Sequence, residues 1–130
     1  IGSTKMKNDT ETIEQPDHVL YGKVIGVVRQ QSQIESLVKS LEMLGVEDVA
    51  AYSGASGTEQ LQTWQEAVSQ YFFGDMEGKM VQRYLDAVAE DFIVFAAVVE
   101  FELADRAAEI AKMHGASDVV HFGNSAVTNY

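Results

Sequence analysis

MHGASDVVHFG, residues 113–123, decides the fold, because the chain has already written the phrase once as MLGVEDVAAYSG, residues 43–54. Met43, Gly45, Asp48 and Val49 return in register as Met113, Gly115, Asp118 and Val119. The residues before each phrase agree in kind. KVIGVVR, residues 23–29, is rich in β-branched residues and reads as a strand. Ser32 and Glu35 have the S-x-x-E spacing of a capping box, which satisfies orphan N–H groups in a first helical turn. Ile34, Leu37, Val38, Leu41 and Leu44 then fall on one helical face, and Gly45 stands where a left-handed residue ends a helix. DVAAYS, residues 48–53, reads as the next strand. In the second passage IVFAAVVEF, residues 93–101, is the strand and ELADRAAEIAKMH, residues 102–114, is the helix that stops at Gly115. DVVHFG, residues 118–123, closes the unit. Val24 and Val28 recur as Val94 and Val98 at the same spacing, so the whole unit is read as written twice.

Two β-α-β units, residues 23–54 and 93–124, predict an α+β domain of the ferredoxin-like kind. It would have a four-stranded antiparallel sheet with both repeat helices on one face, because crossovers are right-handed. Asp48 and Asp118 then serve the turn after each helix stop.

An insertion, residues 58–91, separates the units. Ser56-Gly57-Thr58-Glu59 offers a helix start, and Leu61, Trp64, Val68, Tyr71 and Phe72 share a face. Gly74-Asp75 breaks the pattern, and Met80, Val81, Tyr84, Leu85 and Val88 make a second stripe. This predicts a pair of amphipathic helices. The strands need such a pair. A half-exposed sheet alternates apolar and polar residues, whereas residues 24–28 and 93–99 are apolar or small on both faces. The inserted helices or a second subunit must therefore cover the remaining face.

The chain has 130 residues, which predicts one domain, residues 19–130, after a polar aperiodic stretch, residues 1–18, read as a flexible tail. The net charge is −11, and the nine Lys and Arg are scattered, which argues against nucleic acid and anionic membrane surfaces as partners. The absence of cysteine removes disulfides, iron–sulfur clusters, thiolate zinc sites and cysteine nucleophiles, and makes the cytoplasm the expected compartment. The longest apolar run, residues 93–99, is too short to span a bilayer.

Residues 21–54 and 72–123 resemble the opening and closing halves of the bacterial general stress protein family, the heat-induced small stress proteins. The resemblance rests on the strand, Leu-spaced helix and Gly turn of YGKVIGVVRQQSQIESLVKSLEMLGVEDVAAYSG. In the second half it rests on FFGD, the Tyr-containing helix and the His-Gly-Ala turn. It implies a stress-associated domain and carries over no catalytic residue. Similar sequences have Gly just before the third strand, where this chain has Glu90-Asp91-Phe92, which leaves the tightness of that turn open.

Among the chemistry-bearing residues, His114 falls at a helix C-terminus, where it complements the dipole and the last carbonyls. His121 shares a strand face with Val119, which predicts partial burial with a backbone partner. The two histidines lack a third ligand at metal-binding spacing, so no metal or cofactor is expected. SGASGTEQ, residues 53–60, lacks the Lys of a phosphate loop and reads as a flexible connection. Trp64, Tyr71, Phe72, Phe73 and Tyr84 read as core aromatics. Glu47-Asp48 and Glu90-Asp91 read as solvated loop charges, and no G-x-S-x-G occurs. The leading expectation is a non-catalytic, stress-associated domain acting by self-association, as a homodimer through the insertion or the open sheet face. The alternative is a small-molecule module whose pocket lies between sheet and insertion, lined by Tyr52, Trp64, Arg83, Tyr84, Phe95 and His121. A third reading is an enzyme with His121 or His114 as acid/base.

Overall fold

The computed structural model describes residues 20–69, 75–123 and 127–130. The expected tail, residues 1–18, lies outside them, as do Tyr71, Phe72, Phe73 and Gly74 of the insertion. In chain order the elements are β1 (Lys23–Val28), α1 (Gln31–Leu44), β2 (Val49–Tyr52), α2 (Gly54–Ser69), α3 (Asp75–Ala89), β3 (Ile93–Val98), α4 (Ala104–Met113), β4 (Ser117–Phe122) and β5 (Val127–Asn129). A 3-10 turn, Phe101–Leu103, leads into α4. The fold is α+β, with an open antiparallel sheet in the order β2-β3-β1-β4-β5. The sheet has five strands where the sequence predicts four. Val127–Asn129 adds itself to the free edge of β4, a piece too short for periodicity to announce.

Both broad faces of the sheet are covered by helices of this chain. Val24, Val28, Phe95, Ala97 and Val119 meet Ile34, Leu37 and Leu41 of α1 and Ala104, Ala107, Ala108 and Ala111 of α4. On the other face Ile25, Val27, Val94, Ala96, Val120 and Phe122 meet Leu61, Trp64 and Val68 of α2 and Met80, Val81, Tyr84 and Val88 of α3. This is why residues 24–28 and 93–98 are apolar or small throughout: neither face can be left to water. α2 already begins at Gly54, so the expected flexible connection is its first turn. Gly57 permits that packing, because a Cβ there would lie 2.8 Å from the Tyr52 carbonyl carbon.

Three helices stop with the same hydrogen-bond pair. Val46 N–H reaches the Leu41 carbonyl and Gly45 N–H the Glu42 carbonyl at the end of α1; Ala116 and Gly115 reach Ala111 and Lys112 at the end of α4. Both glycines have the positive φ this Schellman motif needs, 103° and 87°. At the end of α3 Phe92 N–H reaches Ala87 and Asp91 N–H reaches Val88, with Asp91 itself at φ 68°. The turn before β3 is therefore as tight as a glycine turn. Asp takes the left-handed conformation more readily than most residues. The capping residue of α1 is Gln33 rather than Ser32 and Glu35: its side-chain oxygen accepts N–H bonds from Arg29 and Gln30, both at 2.9 Å.

The constant spacing of the repeated phrase holds for part of each unit. Ile34 and Ala104, Leu37 and Ala107, and Leu41 and Ala111 are matching core positions, and Val49 and Val119 share the α1/α4 face. Val24, however, faces α1 and α4, while Val94 faces α2 and α3. A strand shifted by one residue presents its other face, so β1 and β3 are out of phase by one. The discrepancy is absorbed between strand and helix. Arg29 and Gln30 alone join β1 to α1, whereas residues 99–103, with their 3-10 turn, join β3 to α4.

Candidate functional site

That longer connection builds a cleft of about 730 Å³ at one end of the sheet. Its floor is the start of β1 and the ends of β3 and β4. The floor is stitched by Val99 N–H to the Gly22 carbonyl at 2.9 Å and by Gly22 N–H to the Phe122 carbonyl at 2.7 Å. Gly22 can do this because its φ of 78° turns the chain sharply into β1. The wall is Glu100, Phe101 and Glu102 from the 3-10 turn, and Tyr21 and Val98 complete the lip. Phe101 is 81% exposed, an unusual position for a phenyl ring, and Tyr21 and Val98 are exposed beside it.

His121 lines the cleft from β4, opposite Val24 of β1. It is the buried polar side chain of the described core, at 5% exposure. Its ring centroid lies 6.3 Å from that of Phe101, the planes tilted by 50°. Neither imidazole nitrogen has a hydrogen-bond partner among the described residues, so the expected backbone partner is not there. Burial lowers the pKa of His121 below its ordinary 6.5, and the Asp105 carboxylate opposes that shift. Asp105 is engaged elsewhere, accepting a hydrogen bond from Tyr130 Oη at 2.5 Å. Tyr130 is pushed up to about 12, by burial and then by that bond. Glu100 and Glu102 are exposed and have no ion-pair partner among the described residues.

The structure divides the six residues read as a pocket lining. Tyr52 and Trp64 pack edge to face on the α2/α3 side, centroids 5.1 Å apart, with Lys23 Nζ 5.9 Å from the indole centroid. Tyr84 is fully buried on that side, its hydroxyl 3.0 Å from the Asp118 carbonyl and 3.3 Å from that of Ile25. Arg83 lies outside, in a 3.0 Å ion pair with Asp118. Phe95 and His121 belong to the opposite face of the sheet. The six are therefore spread over both faces of the sheet, and of them His121 alone lines the cleft at the sheet end.

Asp118 has its own role. Ile25 of β1 pairs with Val120 but Val27 with Ser117, so β4 carries one extra residue, and Asp118 sits there at φ 50°. The bulge frees carbonyls that Tyr84 collects, while Arg83 holds the side chain. His114 is structural at the other end of β4. It caps α4, its carbonyl accepts from Gln33 Nε2 at 3.1 Å, and its Nε2 lies 3.0 Å from Ser40 Oγ.

The sequence reading missed Tyr21, Glu100, Phe101 and Glu102. The signal was Glu100-Phe101-Glu102 itself: a phenyl between two acids has no buried stripe to join. Among the described residues no three His, Asp or Glu side chains cluster to hold a metal, and no helix is long and apolar enough to cross a membrane. Compared with protein-family models, curated proteins and solved structures, the chain matches none.

Proposed function

We propose that this domain is a non-catalytic binding module that holds a small organic molecule in the cleft beside His121. One observation carries the reading: a 95% buried imidazole without a hydrogen-bond partner among the described residues lines a cleft of ligand size. A buried polar group left unpaired costs about 1–3 kcal/mol, which a bound molecule recovers by bonding to it.

Native mass spectrometry of protein purified without denaturation tests this, together with thermal melting of His121→Phe. The expected results are a retained small molecule on the parent and none on the variant, and a ligand-free variant more stable than the ligand-free parent by about 1 kcal/mol. A bare chain mass in both, with His121→Phe no more stable, overturns the reading.

Self-association as a homodimer is the second reading. Of the two surfaces proposed for it, the insertion and the open sheet face, the sheet face is occupied by α2 and α3; what supports association is the exposed Phe101 on the cleft lip. The same mass measurement reports it: a doubled mass that Phe101→Ser abolishes supports association. The stress-associated role implied by the resemblance belongs to this proposal, as do the cytoplasmic compartment expected from the absence of cysteine and a ferredoxin-like duplicated ancestry. What supports the duplication is the β2-β3-β1-β4 order and the two matched helix stops.

A further inference from the structure

Resting on the proposed binding role of the cleft, we infer that its ligand is an organic cation: a primary or secondary ammonium group carried on an apolar, ring-sized body. Three observations converge. Glu100 and Glu102 line the cleft, and their carboxylates have no ion-pair partners among the described residues. Among the described residues no Lys or Arg lines it. Lys23 adjoins Gly22 in sequence, but it points to the opposite side of the sheet, over Trp64. An anion would meet two like charges and no donor of positive charge, while an ammonium is drawn in by both acids and by the overall charge of −11.

The second observation is His121. Burial favours its neutral form, in which one ring nitrogen is an acceptor. An ammonium N–H is a donor that can meet that nitrogen inside the cleft while its remaining hydrogens meet the carboxylates outside. Charge-assisted bonds of this kind are roughly twice as strong as neutral ones. The third is the aromatic lip. Tyr21 and Phe101 present exposed rings, and Val98 lies beside them. Ring faces attract a desolvated cation, and the three side chains offer apolar contact to its body.

Three probes with a common phenyl body separate the possibilities: 2-phenylethylamine, 2-phenylethanol and phenylacetate, titrated into the full chain at neutral pH. The readout is the backbone amide shifts of Val99, Glu100, Phe101, Glu102 and Gly123. The amine is expected to bind about tenfold more tightly than the alcohol, and the acid to bind most weakly. Glu100→Gln combined with Glu102→Gln should remove most of the amine's advantage over the alcohol. Its amide spectrum reports that it is folded. Amine and alcohol binding equally, or the acid binding best, overturns the cation assignment and leaves the cleft as a binding site. No shift at these amides with any probe up to millimolar concentration overturns both. An amine preference undiminished by the double substitution overturns the role given to the two acids, and with it the assignment.

Discussion

The two β-α-β segments stop their helices alike and start them differently. Between β1 and α1 the side-chain oxygen of Gln33 gathers the N–H groups of Arg29 and Gln30, and the connection is closed. Between β3 and α4 the chain spends residues 99–103 on a 3-10 turn that holds Phe101 out in solvent. The strand that follows differs in step: Ala51 is exposed on β2, while His121 at the matching place on β4 is buried. Close packing keeps the helices and their stops alike, since each buried position there touches neighbours that cannot give way. Groups without partners gather where that constraint lapses, and the cleft lies there.

The sharpest way to break this comparison is at the stops. Gly45→Ala puts a Cβ into open space, so its loss is the left-handed strain alone, about 1 kcal/mol. Gly115→Ala meets the same strain and also sets its Cβ 2.5 Å from Gln33 Nε2. That amide must move, giving up its bond to the His114 carbonyl and disturbing the oxygen that closes the β1 to α1 connection. The expected loss is about 2–3 kcal/mol in urea unfolding. Equal losses for the two variants would mean that the Gln33 tie contributes nothing.

The turns after the stops come next. Asp118 bulges β4 and is read by Tyr84, while Asp48 is exposed and, unlike Asp118, outside the left-handed region. Tyr84→Phe should lose about 1–2 kcal/mol, because two buried carbonyls lose their donor. Asp48→Ala should stay within about 0.5 kcal/mol. A silent Tyr84→Phe would assign the bulge to β4 alone.

A third measurement sharpens the contrast between Ala51 and His121. The folded pKa of His121 is depressed below 6.5, so the unfolded chain binds the proton more readily. Its effect on stability is absent above that value, and stability falls as the pH drops from 6.5 through the folded pKa. His121→Phe should remove that part of the slope in Tm against pH. Ala51→His, on an exposed position, should add no slope. Parallel slopes for the parent and His121→Phe would place that histidine in water.

How much of this was legible follows from which signals are local. The helix stops could be read because a glycine after an apolar stripe has one common use, and the covered sheet because β1 and β3 lack polar alternation. Constant spacing then misled in the strands. It matched Val24 to Val94 by identity, although side-chain direction alternates with every residue and one residue of slack in the connection reverses it. The same ambiguity placed Phe95 and His121 in one pocket with Tyr84. Reading residues 93–101 as strand and 102–114 as helix leaves no room for the connection that the chain makes at residues 99–103, where Phe101–Leu103 is a 3-10 turn. The cleft residues were the hardest to foresee, since they come from three strand ends and a turn.

The smallest effect concerns the third stop, which ends α3 with Asp91 where the other two use glycine. All three make the same pair of bonds, so the backbone at each differs in how readily its residue takes a positive φ. Glycine adopts it freely, Asp at some strain, and Ala with more. Asp91 is exposed, so its side chain contributes no buried contact that would mask the backbone. Asp91→Gly should therefore stabilise the domain by about 0.5 kcal/mol, reduced from the full strain because glycine also gives the unfolded chain more freedom. Asp91→Ala should destabilise it by a similar amount. If Asp91→Gly proves destabilising instead, the carboxylate itself holds the turn before β3, and that stop works by a different device from those at Gly45 and Gly115.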